Sequence, residues 1–101
     1  MGKYKKFHIG KNLPQSNDAK PLKGEPNSFI DEYYIKTGDF SSRRKIGKNG
    51  LAVKDMDAAD YKHKKDHVHD FDGSFRGPKR DPDKREVKEF NKLKRRRKFM
   101  K

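Results

Sequence analysis

An Asn-Gly pair in the middle of the chain constrains the fold more than any other feature. Asn49 and Gly50 both tolerate positive φ, and such a pair between two strand-forming segments indicates a β-hairpin turn. The flanking segments fit this role. Residues 40–46 begin and end with apolar side chains, and apolar and polar side chains alternate along 51–57 with an imperfect period of two. The sequence therefore predicts a hairpin of these two strands, with Asp55 and Asp57 on one face of the second.

Two more segments have the composition of strands. Residues 29–36 hold the densest group of aromatic and β-branched side chains, and 67–72 is bounded by Gly73. Short connections favour antiparallel neighbours. We therefore predict an α+β fold whose small antiparallel sheet, a β-meander, comprises 29–36, 40–46, 51–57 and 67–72. Gly73, Gly77 and Pro78 are interpreted as the end of the strand over 67–72, the last strand of this sheet.

The two ends of the chain differ from this centre. Residues 1–27 are rich in Gly, Pro and Asn and predict an extended basic arm with turns, followed by a small β-rich domain over 28–80. Residues 81–101 predict a basic C-terminal helix, with Asp81 as N-cap and Pro82 at its first position.

This helix is expected to extend over about 82–98 and carries a narrow apolar stripe of Val87, Phe90 and Leu93. The stripe either docks on the sheet or belongs to a detached helix that becomes ordered on nucleic acid. Both interpretations stay open at this point.

The charge of the chain indicates a polyanionic partner. The sequence has 28 basic and 15 acidic side chains, for a net charge of +13, while only 29% of its residues are hydrophobic. Such a field attracts nucleic acid, anionic membrane surfaces and acidic proteins. No apolar run approaches the roughly 20 residues of a membrane span. The first ten residues lack a secretory signal, so we expect a cytoplasmic protein without membrane attachment.

The C-terminal run of cations is the most concentrated part of this charge. Five consecutive basic residues exceed what a helix C-terminus needs, and contact with a phosphate backbone is the functional interpretation. The predicted nucleic-acid-binding residues are Arg43, Arg76, Lys94, Arg95, Arg96, Arg97 and Lys98.

A His-x-His pair is the best candidate for chemistry. His67 and His69 would share one strand face, and imidazoles exchange protons near neutral pH, so one could act as base and the other as acid in phosphoester cleavage. Absence of Cys excludes thiol catalysis and disulfides. The alternative is a pair of surface histidines with no catalytic role.

The neighbouring charged residues have two interpretations. Arg44, like Arg43 and Arg76, could stabilise charge on a phosphate, while Asp55 and Asp57 could hold Mg²⁺. Alternatively, the two aspartates pair with Arg43 and Arg44 across the hairpin.

A metal site is a further alternative, although no cofactor is the leading expectation. His63, His67 and His69 have a spacing that resembles part of a Zn²⁺ or Mn²⁺ site. The pattern is short and common, and the sequence has neither a Cys pair nor a His-Glu-x-x-His segment to accompany it.

The central stretch also resembles a known family. Its pattern is a basic pair, a Gly-bearing hairpin, an Asp-x-Asp strand, a His-x-His pair and an Arg-Gly pair, at Arg43-Arg44, 46–51, Asp55–Asp57, His67–His69 and Arg76-Gly77. It resembles small proteins encoded by phages and prophages of Gram-positive bacteria, and the C-terminal domains of bacterial polymorphic toxins. The segments 10–16 and 22–28 are similar to the phage versions.

The resemblance carries several expectations. Toxin domains of this kind are usually predicted nucleases, often ribonucleases, which implies that His67 and His69 are the catalytic pair and that Arg44, Asp55 and Asp57 support them. It also implies residence in a bacterial host cytoplasm and an immunity-type protein partner. The leading hypothesis is a small basic protein that binds RNA or DNA and cleaves it. The alternative is a non-enzymatic phage accessory or structural protein that binds nucleic acid or an acidic protein.

Overall fold

The protein combines an antiparallel sheet with a C-terminal helix. A computed structural model describes residues 4–7, 22–34, 39–59 and 64–95. Within them lie six strands and one helix: β1 Tyr4–Phe7, β2 Phe29–Tyr34, β3 Phe40–Ile46, β4 Ala52–Asp57, β5 His67–Asp72, β6 Phe75–Arg80 and α1 Lys84–Arg95. Each strand pairs antiparallel with the next in chain order. The predicted α+β fold with a meander is confirmed.

The β3–β4 hairpin forms where the Asn-Gly pair predicts it. The amide of Gly47 donates to the carbonyl of Leu51 at 2.8 Å and closes a loop over 48–50. Gly50 has a φ of 82°, whereas Asn49 instead accepts a hydrogen bond from the Leu51 amide on its Oδ1 at 3.1 Å. This is a three-residue loop that ends in a left-handed glycine, so only one of the pair needs positive φ.

Residues before β2 pack along this hairpin. The Gly24 amide donates to the Gly50 carbonyl at 2.9 Å, and the Ala52 amide donates to the Leu22 carbonyl at 2.9 Å. A Cβ on Gly50 would lie 3.1 Å from the carbonyl oxygen of Gly24, so both the loop conformation and this close approach favour glycine.

A bulge in β4 changes which residues share a face. Lys45 pairs with Lys54 and Ile46 pairs with Ala52, which leaves Val53 as an extra residue. Ala52 therefore packs with Ile46 on the face opposite to Met56, although strict alternation along a strand would place residues 52 and 56 on one face.

The two faces of the sheet are covered differently. On the helix face, α1 packs on a core formed by Tyr33, Phe40, Met56, Val68, Phe90 and Leu93. On the other face, named the histidine face here, a smaller cluster comprises Ile30, Ile46 and Ala52 with Phe71 against it. This division leaves Arg44, Asp55 and His69 on a face that α1 does not cover, whereas Arg43 and Lys54 contact α1 on the other face.

The predicted helix stripe needs correction. Phe90 and Leu93 are buried in the sheet core, but Val87 is 45% exposed and Glu86 is buried instead. The helix also begins later than predicted, with Asp83 rather than Asp81 as N-cap. The Val87 amide donates to the Asp83 carbonyl at 2.8 Å, and Asp83 and Glu86 exchange side chain to amide hydrogen bonds of 2.8 Å each. This reciprocal pair fixes the helix start beyond Pro82.

Two strands were not predicted. β1 lies within the segment predicted as an extended arm, where it pairs with the edge of β2. β6 follows a turn at Gly73, whose φ is 64°, and contains the residues taken as the end of the sheet. β6 is last in the strand order, and its register with β5 shifts in the stretch that contains Pro78; proline is tolerated on edge strands and at such irregularities. The prediction that the sheet ends at 72 is therefore wrong.

The helical content of the described residues also bears on whether a helix could span a membrane. Within the described ranges, no helix combines the length and apolar composition that crossing a bilayer requires.

Candidate functional site

Four neighbouring strands bring charged and imidazole side chains together on the histidine face. The β3–β4 register sets Arg44 opposite Asp55, and the β4–β5 register sets Asp55 opposite His69 and Asp57 opposite His67. Arg76 reaches the same group from β6. We call this group the histidine cluster; its members are Arg44, Asp55, Asp57, His67, His69 and Arg76.

The two imidazoles are held side by side. Their ring centroids lie 5.1 Å apart in an edge-to-face arrangement. Nδ1 of His67 lies 3.1 Å from the Lys65 carbonyl oxygen, and Nδ1 of His69 lies 2.8 Å from the Gly77 carbonyl oxygen. A carbonyl oxygen only accepts, so we assign the donating proton to Nδ1 in both rings. Nε2 is then the acceptor nitrogen of each neutral imidazole.

Both Nε2 atoms converge on one carboxylate. The Oδ2 atom of Asp57 lies 3.4 Å from Nε2 of His67 and 3.8 Å from Nε2 of His69. The three side chains are only 19%, 10% and 12% exposed, and their ligand atoms lie within 4.8 Å of one another. The described residues thus include an Asp/His/His group with the composition of a metal centre.

Asp55 and Arg44 form the buried base of the cluster. Nε of Arg44 donates to Oδ1 of Asp55 at 2.7 Å, and Nη2 donates to Oδ2 at 2.8 Å. Asp55 is 1% exposed, and the Arg44 guanidinium lies 5.0 Å from the Phe71 ring centroid. This bidentate pair agrees with cross-hairpin pairing and gives both residues a positioning role beneath the histidines.

Arg76 links this buried pair to the accessible edge of the cluster. Its Nε donates to Oδ2 of Asp55 at 2.9 Å, and its Nη2 donates to Oδ2 of Asp57 at 2.6 Å. Its side chain is 43% exposed, in contrast to the buried Arg44. Of the two cluster arginines, Arg76 is therefore the one that an incoming phosphate can reach.

Arg43 lies away from the cluster, on the helix face. It donates to both carboxylate oxygens of Asp31, at 2.7 and 2.8 Å, and to Glu89 of α1 at 2.9 Å. Burial opposes its charge, yet the hydrogen bonds to Asp31 and then Glu89 raise the pKa of Arg43 above its ordinary value. Lys45 and Arg43 together lower the pKa of Glu89 against the effect of its burial. The structure thus uses Arg43 to join the sheet to α1.

The predicted cations of the tail are described only in part. Nζ of Lys94 lies 2.5 Å from Oδ2 of Asp66, and Arg95 is exposed. Arg96, Arg97 and Lys98 lie outside the described residues, as does His63, the third member of the metal set expected from the sequence.

Asp57 was absent from the predicted set of His63, His67 and His69, and the sequence analysis considered it as a metal ligand only together with Asp55. The sequence places it ten residues before His67, and nothing in that spacing reveals the pairing. The β4–β5 register creates it by setting Asp57 opposite His67. The alternation of side chains along a strand does place Asp55 and Asp57 on one face. It does not determine the register between β4 and β5, which is set by the folded sheet.

The fold and cluster define a class: a small basic α+β protein that carries a histidine–carboxylate–arginine cluster on one face of a meander. No family model, curated protein or solved structure matches the chain. The functional inference therefore depends on the residues of the cluster.

Proposed function

We propose that the protein binds nucleic acid and hydrolyses its phosphodiester backbone at the histidine cluster, where Asp57, His67 and His69 hold a divalent transition-metal ion. The observation that carries this proposal is the convergence of two Nε2 atoms and one carboxylate oxygen. Imidazole nitrogens and carboxylate oxygens are ligands that such an ion takes in proteins.

The spacing of the three atoms favours a metal over direct hydrogen bonds. The Nε2 to Oδ2 distances are 3.4 and 3.8 Å, longer than most N–H···O hydrogen bonds. Ligand atoms that lie about 2.0–2.2 Å from a tetrahedral Zn²⁺ lie about 3.4 Å from each other. Small side-chain adjustments would complete that geometry.

The surroundings of the ligands support the same assignment. In metal sites, the ring nitrogen that does not bind the metal usually donates to a carbonyl or carboxylate, which orients the ring. Both histidines make this contact, with the carbonyls of Lys65 and Gly77. Arg76 orients Asp57 in turn, and Asp55 orients Arg76.

A metal ion held by Asp57, His67 and His69 would leave a coordination position for water and would lower the pKa of that water. In the hydrolysis, the oxygen of one water molecule bonds to phosphorus and the bond from phosphorus to the leaving oxygen breaks. One proton passes to that oxygen and the other stays with the product phosphate. Arg76 positions the phosphate and stabilises its developing charge through the exposed part of its guanidinium.

Nucleic acid is the substrate class that the charge supports. A net charge of +13 favours a polyanion, and the resemblance to phage proteins and toxin domains points to the same chemistry. On this proposal the protein acts in a bacterial cytoplasm, and an acidic immunity-type protein is a further partner.

The test combines metal titration with cleavage. Chelator-treated protein is titrated calorimetrically with Zn²⁺ and Mn²⁺, and labelled RNA and duplex DNA are incubated with metal-free and metal-loaded protein. We expect one bound ion and metal-dependent cleavage, both lost in the double variant H67A/H69A. The variant D57N removes the carboxylate ligand. D72N is its matched control, because Asp72 is an exposed carboxylate at the end of β5. Retarded but intact nucleic acid with every metal would contradict the enzyme and leave a binding protein.

Metal-free acid–base catalysis is the second candidate. The fixed Nδ1 contacts leave both Nε2 atoms at one point of the surface, as a proton-transfer pair requires. The carboxylate of Asp57 faces both Nε2 atoms, however, and its negative charge repels a phosphate that approaches them. Cleavage that survives chelator and fails in H67A/H69A would establish this candidate over the metal-dependent one.

A further inference from the structure

A cleft opens directly beside His67. It has a volume of about 240 Å³ and is lined by residues 64–67, which lead into β5, and by 79–81 at the end of β6. His67 belongs to both the cleft wall and the histidine cluster, and Lys79 is the cross-strand neighbour of His69. The cleft therefore adjoins the proposed catalytic centre.

The charged groups of the cleft leave an excess of positive charge. Asp66 pairs with Lys94 of α1 at 2.5 Å, and Arg80 is held by Asp70 and Glu86 at 2.6 and 2.8 Å. The remaining charged wall residues are three exposed lysines and one exposed aspartate, namely Lys64, Lys65, Lys79 and Asp81. Three ammonium groups against one carboxylate favour an anion.

The size of the cleft restricts what that anion is. Pockets that enclose a drug-sized ligand have volumes of about 300–1,000 Å³, so this cleft holds a smaller group, such as one phosphate with its sugar. Lysine ammonium groups bind phosphates as point charges and do not read bases.

We propose that this cleft binds the phosphodiester next to the scissile one in a single strand of nucleic acid. The inference deepens the proposed function and rests on it, because it assigns the path of the substrate away from the histidine cluster. A strand whose scissile phosphate lies at the Nε2 atoms continues past His67 into the cleft, where Lys64, Lys65 and Lys79 neutralise the next phosphate.

A single strand fits this path better than a duplex. The side chains of His67 and His69 are only 10% and 12% exposed, so the scissile phosphate must come down to the surface of the sheet. A flexible strand can bend into such a position, whereas a duplex keeps its phosphates on a stiff cylinder.

Binding and cleavage are measured separately. Fluorescence anisotropy is recorded with chelator-treated protein and labelled oligouridylate or oligothymidylate strands of about 12 nucleotides over a salt series. The cleft variant K64Q/K65Q/K79Q is compared with K84Q/K88Q/K92Q, which removes the same charge from exposed positions on α1. The RNA and DNA arms show which backbone the cleft accepts.

We expect the cleft variant to lose about tenfold or more in affinity and its salt slope to fall by about 0.7, because the cleft neutralises one phosphate and each single-strand phosphate contact contributes about 0.7. The α1 variant should lose clearly less of both. Equal losses in the two variants, or no binding of either strand by the wild type, would overturn the cleft assignment.

The cleavage arm uses metal-loaded protein and substrates of two lengths. For the longer strand we expect KM to rise in the cleft variant while kcat stays the same, and for a dinucleotide we expect neither to change. Absence of cleavage by the wild type contradicts the proposed hydrolysis but leaves the anisotropy result to decide the cleft. Normal cleavage with an unchanged KM contradicts the cleft alone.

Discussion

Glu86 offers a quantitative test of how α1 is attached to the sheet. Its carboxylate is 3% exposed and accepts from Lys54 at 2.6 Å, from Arg80 at 2.8 and 2.9 Å and from the Asp83 amide at 2.8 Å. The hydrogen bonds from Arg80, followed by those from Lys54 and Asp83, lower the pKa of Glu86 from 4.5 to about 2 against the effect of burial. The folded state therefore binds the ionised form more strongly than the unfolded chain does.

The size of this preference follows from the pKa. Since a tenfold change in proton affinity is worth about 1.4 kcal/mol, the ionised Glu86 stabilises the fold by about 3 kcal/mol at neutral pH. A group with a depressed pKa contributes fully above its unfolded value of 4.5, and the contribution is lost as the pH falls towards about 2. E86Q should thus lower the free energy of unfolding by about 3 kcal/mol at neutral pH and by progressively less in acid.

The assay is urea denaturation, followed by far-ultraviolet circular dichroism, at a series of pH values. E25Q serves as the control because Glu25 is exposed and lies outside the contacts of α1. The wild type and E25Q should lose stability together in acid, whereas E86Q should lose less and converge on them. Parallel curves for wild type and E86Q across that range, or equal stability at neutral pH, would refute the reasoning.

Three further substitutions test other parts of the fold and site. D55N should lower the free energy of unfolding by about 3–5 kcal/mol, measured by urea denaturation, because it leaves the buried Arg44 guanidinium without its carboxylate; a loss below about 1 kcal/mol would contradict this. F90A should cost about 3–5 kcal/mol in the same assay, since Phe90 is fully buried and packs edge-on against Phe40. D57N should weaken Zn²⁺ binding in calorimetry by more than the roughly 10–100-fold typical of outer contacts, with D72N unchanged.

Local patterns predicted much of the fold. The Asn49-Gly50 pair located the β3–β4 hairpin, and the strand predictions at 40–46 and 67–72 agree with β3 and β5. These features succeed because turn chemistry and a period of two act within a few residues. β6 was missed because Gly77 and Pro78 weaken a strand in general but are tolerated at the edge of a sheet, and edge position is a property of the whole fold.

The cluster was predictable as a set of residues but not as an arrangement. Period two placed His67 and His69 on one face, and their meeting with Asp57 required the β4–β5 register. The adjacent Arg43 and Arg44 point to opposite faces, so one joins α1 while the other holds Asp55. Phosphate contact by both arginines was one prediction, and pairing with Asp55 and Asp57 was the alternative. Sequence proximity does not reveal which carboxylate each arginine contacts in the folded sheet.

The meander order of the strands affects how the proposed catalytic centre is assembled during folding. Each strand pairs with its neighbour in sequence, so the sheet grows by local closures that cost less chain entropy than distant pairings. The tight turns at 47–51 and 73–74 close two separate hairpins. The histidine cluster draws on both of them, through Arg44 and Asp57 from the first and His67 and Arg76 from the second. A chain with only one hairpin formed has no assembled cluster, so the proposed reactivity requires that the two hairpins join.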